Sequence, residues 1–177
     1  MRVIAVDGRA ASGKTTLARQ LGGVLEAPVV HMDDFFLPLD LRKPERFVQP
    51  GGNVHYERFM TEVLPYLGRQ EAFTYRIFDC SRKDFFGERR IAAAPWRIVE
   101  GAYSMHPRFG DYADLKVFYD IGSEEQMRRI RRRNGAAARV FAERWIPLEE
   151  KYIRAAHVRE RADLVIGNGV TAPPTAP

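Results

Sequence analysis

The sequence has one cysteine, Cys80, and only short apolar runs. A lone cysteine excludes an internal disulfide, and no second cysteine or neighbouring histidine cluster supplies zinc-ligand spacing. A reducing, cytoplasmic setting is the expectation. The apolar runs fall far short of the roughly 20 residues that cross a bilayer, so no membrane association is expected. "MRVIAVDG" meets Asp7 before a signal-peptide core can form, so no processing is expected either. There is no internal repeat. A guanine-reading N-K-x-D is missing, because Asn53, Asn134 and Asn168 are each followed by a residue other than lysine, which argues against a GTP-driven switch. An excess of one charge sign is nearly missing too: 28 basic residues stand against 23 acidic ones, a net charge of +5. That suits a polyanion or a phosphate-rich small substrate equally well.

What is present is an alternation. Apolar, β-branched runs at Arg2–Val6, Pro28–Met32, Arg97–Val99, Leu115–Tyr119 and Leu164–Ile166 are separated by helical patterns, which predicts an α/β fold with a five-stranded parallel sheet. Leu17, Ala18, Leu21, Val24 and Leu25 mark one sheet-facing helix; Tyr56, Phe59, Met60, Val63, Leu64 and Leu67 mark another. In "AFTYRIFD", Phe73, Tyr75 and Ile77 alternate with Thr74, Arg76 and Phe78, predicting an extra strand in a hairpin that closes near Ile91. Ser123 and Gln126 form a capping box opening a helix with Met127 and Ile130. Phe141, Trp145, Leu148 and Tyr152 continue as a helix that Pro147 kinks or restarts. With 177 residues, positions 1–170 read as a single domain, and "TAPPTAP" at 171–177 reads as a disordered tail.

The most specific signal is "DGRAASGKTT". Gly8, Gly13, Lys14 and Thr15 fit G-x-x-x-x-G-K-[ST] between a predicted strand and a predicted helix, the context that a phosphate-binding loop requires. Backbone N–H groups of Gly8, Ala10, Ala11, Ser12, Gly13, Lys14, Thr15 and Thr16 are the candidates to cradle a nucleoside triphosphate, with Lys14 on the outer phosphates and the Thr15 hydroxyl on Mg²⁺. "HMDDFF" places Asp33 and Asp34 beyond the carboxyl end of the second strand, where ligands sit in open parallel sheets. A carboxylate there can take the proton of an attacking hydroxyl in phosphoryl transfer. A helix cap or turn former is the structural alternative. Glu100 ends the third strand and could hold Mg²⁺ or simply close the strand. Arginines fill five of the six positions from Arg128 to Arg133. On a helix they cannot share one face, so Arg129, Arg132 and Arg133 are expected to reach inward as a phosphate lid over about 125–140. The alternatives are a solvated basic face or a nucleic-acid patch, which basic runs without interleaved aromatics support weakly.

In order along the chain, "VDGRAASGKTT", "MDDFF", "PGGNVHYERF", "IVEGAYSMHP", the arginine run and "WIPLEEKYI…ADLVI" resemble the uridine kinase-like branch of the P-loop kinases, which includes phosphoribulokinase, pantothenate kinase and nicotinamide riboside kinase. The resemblance spans residues 2 to about 168. It implies a three-layer fold with a five-stranded parallel sheet, a small β-hairpin insertion and an arginine-rich lid. It further implies ATP as donor, Mg²⁺ at Thr15 and Glu100, Asp33 as base and lid arginines at Arg129, Arg132 and Arg133. The reaction implied is transfer of the γ-phosphate to a primary hydroxyl of a small molecule. A nucleoside is the first choice of acceptor, with a pantothenate-type or nicotinamide riboside-type alcohol as alternatives. No nucleic-acid partner is expected, and a homo-oligomer is left open. In that family the segment like "NVHYERF" lines the acceptor site, which nominates His55 and Tyr56. Phe78, Asp79 and Arg82 are nominated with them, although the base-reading histidine of pyrimidine-specific members is absent here.

Overall fold

The computed structural model describes residues 1–167; the predicted tail at 171–177 lies outside the described residues. The elements run β1 (Arg2–Gly8), α1 (Lys14–Leu25), β2 (Val29–His31), α2 (Pro44–Val48), α3 (Tyr56–Glu62), α4 (Leu64–Leu67), β3 (Phe73–Asp79), β4 (Asp84–Ile91), β5 (Trp96–Glu100), β6 (Leu115–Asp120), α5 (Ser123–Asn134), α6 (Ala138–Val140), α7 (Ile146–Ala155) and β7 (Leu164–Gly167). Five strands form a parallel sheet in the order β2-β5-β1-β6-β7, while β3 and β4 form the separate antiparallel hairpin. This is the three-layer α/β architecture of P-loop kinases.

The sheet is covered on both faces, which is why its central strands read as unbroken apolar runs. Along β1, Ile4 and Val6 join Ile98, Val117 and Ala18 in the core under α1. Val3 and Ala5 point the other way, into the larger core with Val99, Phe118, Phe59 and Tyr152. Strand β1 has β5 on one side and β6 on the other. The connections leaving the sheet diverge there, opening a crevice at the carboxyl ends. Register then aligns the site: Val6 pairs with Glu100, Glu100 with His31, and Gly8 with Tyr119.

Several local expectations change. Strand β2 is only Val29–His31, because Met32–Phe35 winds into a 3-10 turn. Val24 and Met60 are exposed rather than sheet-facing. The second predicted helix is broken in two at Val63, with Pro65 in the first turn of α4. A bulge between Arg76 and Phe78 shifts the strand phase, so Phe78 turns inward although it alternates with inward residues in sequence. The capping box does not form: Gly122 is the N-cap of α5 without a side-chain bond, and buried Gln126 donates instead to Glu149. Pro147 restarts the helix as expected, since Phe141–Trp145 is a widened π turn directly ahead of α7.

Candidate active site

The crevice is a cleft of about 920 Å³ whose walls include Lys14, Thr15, Asp33, Glu100, Arg129, Arg132 and Arg133. Its phosphate-loop wall is made by backbone. Gly8 and Gly13 sit at φ of 138° and 114°, and a Cβ on Gly8 would lie 2.1 Å from the Tyr119 carbonyl oxygen. Glycine is therefore required there for β1 and β6 to stay paired while the chain turns. Gly13 caps α1 without a side chain, and no acid occupies the first turn, so the N–H groups of that 12-residue helix are free to meet an anion. Lys14 is buried, its Nζ donating 2.7 Å to the Arg9 carbonyl.

Beneath the loop, the Thr15 hydroxyl donates to both oxygens of buried Glu100 at 3.3 and 3.2 Å. His31 Nδ1 lies 2.6 Å from Glu100 Oε1. His31 was not singled out from sequence, although its place at the end of β2, in register with Glu100, was the available signal. Thr15 and Glu100 fit Mg²⁺: both offer hard oxygens. No cluster of three metal-ligating side chains exists among the described residues. Mg²⁺ is commonly held by one or two protein ligands, with waters and phosphate oxygens filling the rest of its shell.

The adjacent acids diverge. Asp34 is buried and accepts from the Tyr75 hydroxyl at 2.9 Å and from Arg89 Nε at 3.0 Å, pinning the hairpin to the end of β2. Asp33 is exposed and lines the cleft. Desolvation pushes its carboxyl above the ordinary aspartate range, the charge of Glu100 adds to the rise, and Lys14 opposes it. An aspartate raised in this way is a better proton acceptor than one left in water.

Arg129 already reaches the loop, its Nη1 donating 2.9 Å to the Ser12 carbonyl and 3.3 Å to that of Ala11. Arg132 and Arg133 face the cleft, whereas Arg128 turns away to Glu125. Two further acids were missed. Asp7 is fully buried at the end of β1 and accepts from the N–H groups of Gly8, Tyr103 and Met105 and from the Tyr152 hydroxyl. Glu149 accepts from Ala10 N at 2.8 Å and from Gln126 Nε2 at 2.9 Å, fixing the loop from behind. Burial pushes both carboxyls up. Apart from the Gly8 amide beside Asp7, their partners lie far away in sequence, so spacing does not reveal either role.

The nominated acceptor residues are not brought to the cleft. His55 caps α3, its Nδ1 accepting from Arg58 N at 3.4 Å. Tyr56 is buried, with Arg46 Nη1 donating to its hydroxyl at 2.8 Å. Phe78 packs edge-on to Phe85, Asp79 accepts from Ser81 and Arg82 amides to close the hairpin turn, and Arg82 lies over the Phe86 ring at 3.7 Å. Local hydrogen bonds and aromatic packing use all five. Phe36, Arg42, Phe47, Asn53, Cys80 and Trp145 supply that wall instead.

No family model matches the chain. Among solved structures, it is similar to a possible uridine kinase from Bacillus stearothermophilus, at 22% identity and a TM-score of 0.71 over 93% of this chain and 88% of that one. It is also similar to a candidate fructose transport system kinase from Silicibacter sp., at 23% identity and a TM-score of 0.68 over 93% and 88%. D-glycerate 3-kinase from Cryptococcus neoformans follows at 17% identity and 0.59 over 84% and 78%. These likenesses establish the P-loop kinase fold that the motifs implied.

Proposed function

We propose that this protein is an ATP-dependent kinase that phosphorylates a primary hydroxyl of a small metabolite. The observation that carries the reading is the placement of Asp33 in the same cleft as Lys14 and the Thr15–Glu100 pair. In this reading the loop amides and Lys14 bind the phosphates, and Thr15 and Glu100 would hold Mg²⁺, which would supply neutralisation of phosphate charge. Asp33 takes the acceptor's hydroxyl proton as the new O–P bond forms and the γ-phosphate leaves ADP. Arg132 and Arg133 close over the transferring group, and Arg129 orders the loop.

A nucleoside acceptor rests on the motif resemblance alone. The three similar structures bear names with different acceptors, and His55, Tyr56, Phe78, Asp79 and Arg82 lie outside the cleft. The test is ADP release measured with ATP, Mg²⁺ and a panel of primary alcohols. An acceptor that raises ADP formation well above slow hydrolysis supports the kinase; a panel with no stimulation removes it. Steep, salt-dependent binding of DNA or RNA would instead favour the nucleic-acid reading of the arginines.

A further inference from the structure

The cationic groups of the cleft divide into two sets. Lys14, Arg129, Arg132 and Arg133 stand at the phosphate loop and lid, where the donor's own charges would meet them. Arg42 stands apart, on the wall built by the residues after β2. Its Nε donates to the Leu37 carbonyl at 2.7 Å, which fixes the plane of the guanidinium, and it has no carboxylate partner among the described residues. Asp33 and Cys80 line the same cleft as Arg42, so the arginine and the base border one volume. Asn53, buried on this wall, also keeps an amide oxygen without a partner, the complement of a hydroxyl donor.

A half-buried guanidinium with no carboxylate partner among the described residues is costly, and its fork, which here meets only the Leu37 carbonyl and the Cys80 thiol, matches the paired oxygens of a carboxylate or phosphate. We infer that the acceptor is an anionic alcohol, its carboxylate or phosphate bound by Arg42 while its primary hydroxyl faces Asp33. Arg42 is then the residue that selects anionic over neutral alcohols. This rests on the kinase reading above.

The test uses matched acceptors in which a hydroxymethyl group is kept, replaced by a carboxylate or phosphorylated: glycerol, glycerate and glycerol 3-phosphate, together with pantothenol and pantothenate. ADP release is measured in the parent, Arg42→Gln, Arg42→Lys and, as a control outside the cleft, Arg82→Gln. The expected result is a lower KM for an anionic member than for its neutral counterpart. Arg42→Gln should raise that KM about 10- to 100-fold with a much smaller change in kcat, and Arg42→Lys should recover part of the loss. Arg82→Gln should change neither. Preference for the carboxylates or for glycerol 3-phosphate identifies which anion the site takes, and either supports the inference. Neutral alcohols used as well as the anionic ones would overturn it and leave the kinase standing. If no acceptor stimulates ADP release, the kinase reading fails, and Trp145 emission decides the anion site separately. Saturable quenching by glycerate or glycerol 3-phosphate that Arg42→Gln abolishes supports the site, and no saturable response overturns it.

Discussion

The phosphate-loop side of the cleft is built from backbone, through two glycines in the left-handed region and the open end of α1. The opposite side is built from side chains drawn from separate segments: Asp33, Arg42, Asn53, Cys80 and Trp145 come from five places in the sequence. A backbone device is local, so its residues must be neighbours and it leaves a motif. A side-chain wall needs only a fold that brings its members together, so it leaves none. The difference teaches where a family motif carries chemistry from one chain to another and where it carries only architecture.

The sharpest way to break the backbone side is Gly8→Ala. The added Cβ meets the Tyr119 carbonyl at 2.1 Å, and a φ of 138° is unfavourable for alanine. A loss of about 4 kcal/mol or more is expected, read as a fall in the urea midpoint. Lys14→Ala acts on the same side with the fold retained. Its Nζ holds only the Arg9 carbonyl here, so turnover should fall about 10³-fold in the ADP assay while the urea midpoint moves little.

The two aspartates test both sides together. Asp33→Asn keeps the shape but cannot take a proton, so kcat should fall by about 10²–10⁴ with ATP affinity nearly unchanged. Desolvation raises this carboxyl in the folded state, so folding is favoured at pH values where it is protonated, and this advantage is lost as pH rises through the folded pKa. Asp33 is open to solvent, which screens this effect, so removing the charge should leave the Tm nearly unchanged at neutral pH while activity falls. Asp34→Asn should do the reverse, because it weakens the bonds to Tyr75 and Arg89 and leaves Asp33 in place. A loss of about 1–2 kcal/mol with largely preserved kcat is expected. An Asp34 variant as slow as the Asp33 variant would show that the wrong carboxylate carries the reaction.

What could be read from sequence follows the same division. The five strands, the order of motifs and the loop were legible because each depends on period or on adjacent residues. Thr15, Glu100 and the inward arginines were legible because strand ends and helical spacing place them. Asp7 and Glu149 were not, since their partners lie across the fold: Asp7 accepts from Tyr152, and Glu149 holds the loop amide of Ala10. The hairpin misled for a different reason. One bulge reversed the phase at Phe78, and alternation cannot reveal a bulge in advance.

The support behind the side-chain wall can be loosened by pH. Glu62 accepts from Arg58 Nε at 3.0 Å and from Arg76 Nη2 at 2.8 Å, and Arg58 in turn donates to the Asp34 carbonyl. Burial opposes ionisation, yet hydrogen bonds from both arginines bring the carboxyl down to about 2. A depressed carboxylate stabilises the fold above its unfolded pKa of about 4.5, and that contribution is lost as pH falls from there toward about 2. Glu62→Gln should cost about 2–3 kcal/mol at pH 7 and much less near pH 2–3. Urea midpoints of parent and variant across that range check the sign, since other carboxylates cancel in the difference.

The smallest effect separates architecture from recognition most directly. His55 lies in the segment that the motif resemblance nominates for the acceptor site, but its imidazole accepts from the Arg58 amide and lies 3.2 Å from Glu57. The two contacts make opposite demands on Nδ1: the cap needs it bare, and the carboxylate needs it protonated. Burial, helped by the Arg58 and Arg46 cations, lowers the imidazole pKa against the pull of Glu57, so the ring is neutral at neutral pH and its Nε2-protonated tautomer can offer a bare Nδ1 to the cap. The capped state is stabilised above the ordinary histidine value near 6.5, and this is lost as pH falls below it. Losing a cap costs about 0.5–2 kcal/mol, and the exposed pair gained on protonation returns up to about 1 kcal/mol, so the pH effect is shallow. His55→Ala should lower the Tm by about 1–4 °C at pH 7.5. His55→Asn, which can still cap, should restore most of it and flatten the response between pH 7.5 and 5.5. The acceptor KM should be the same in all three proteins. A several-fold rise in acceptor KM for both variants, with Tm unchanged, would place His55 against the substrate and return that segment to the acceptor wall.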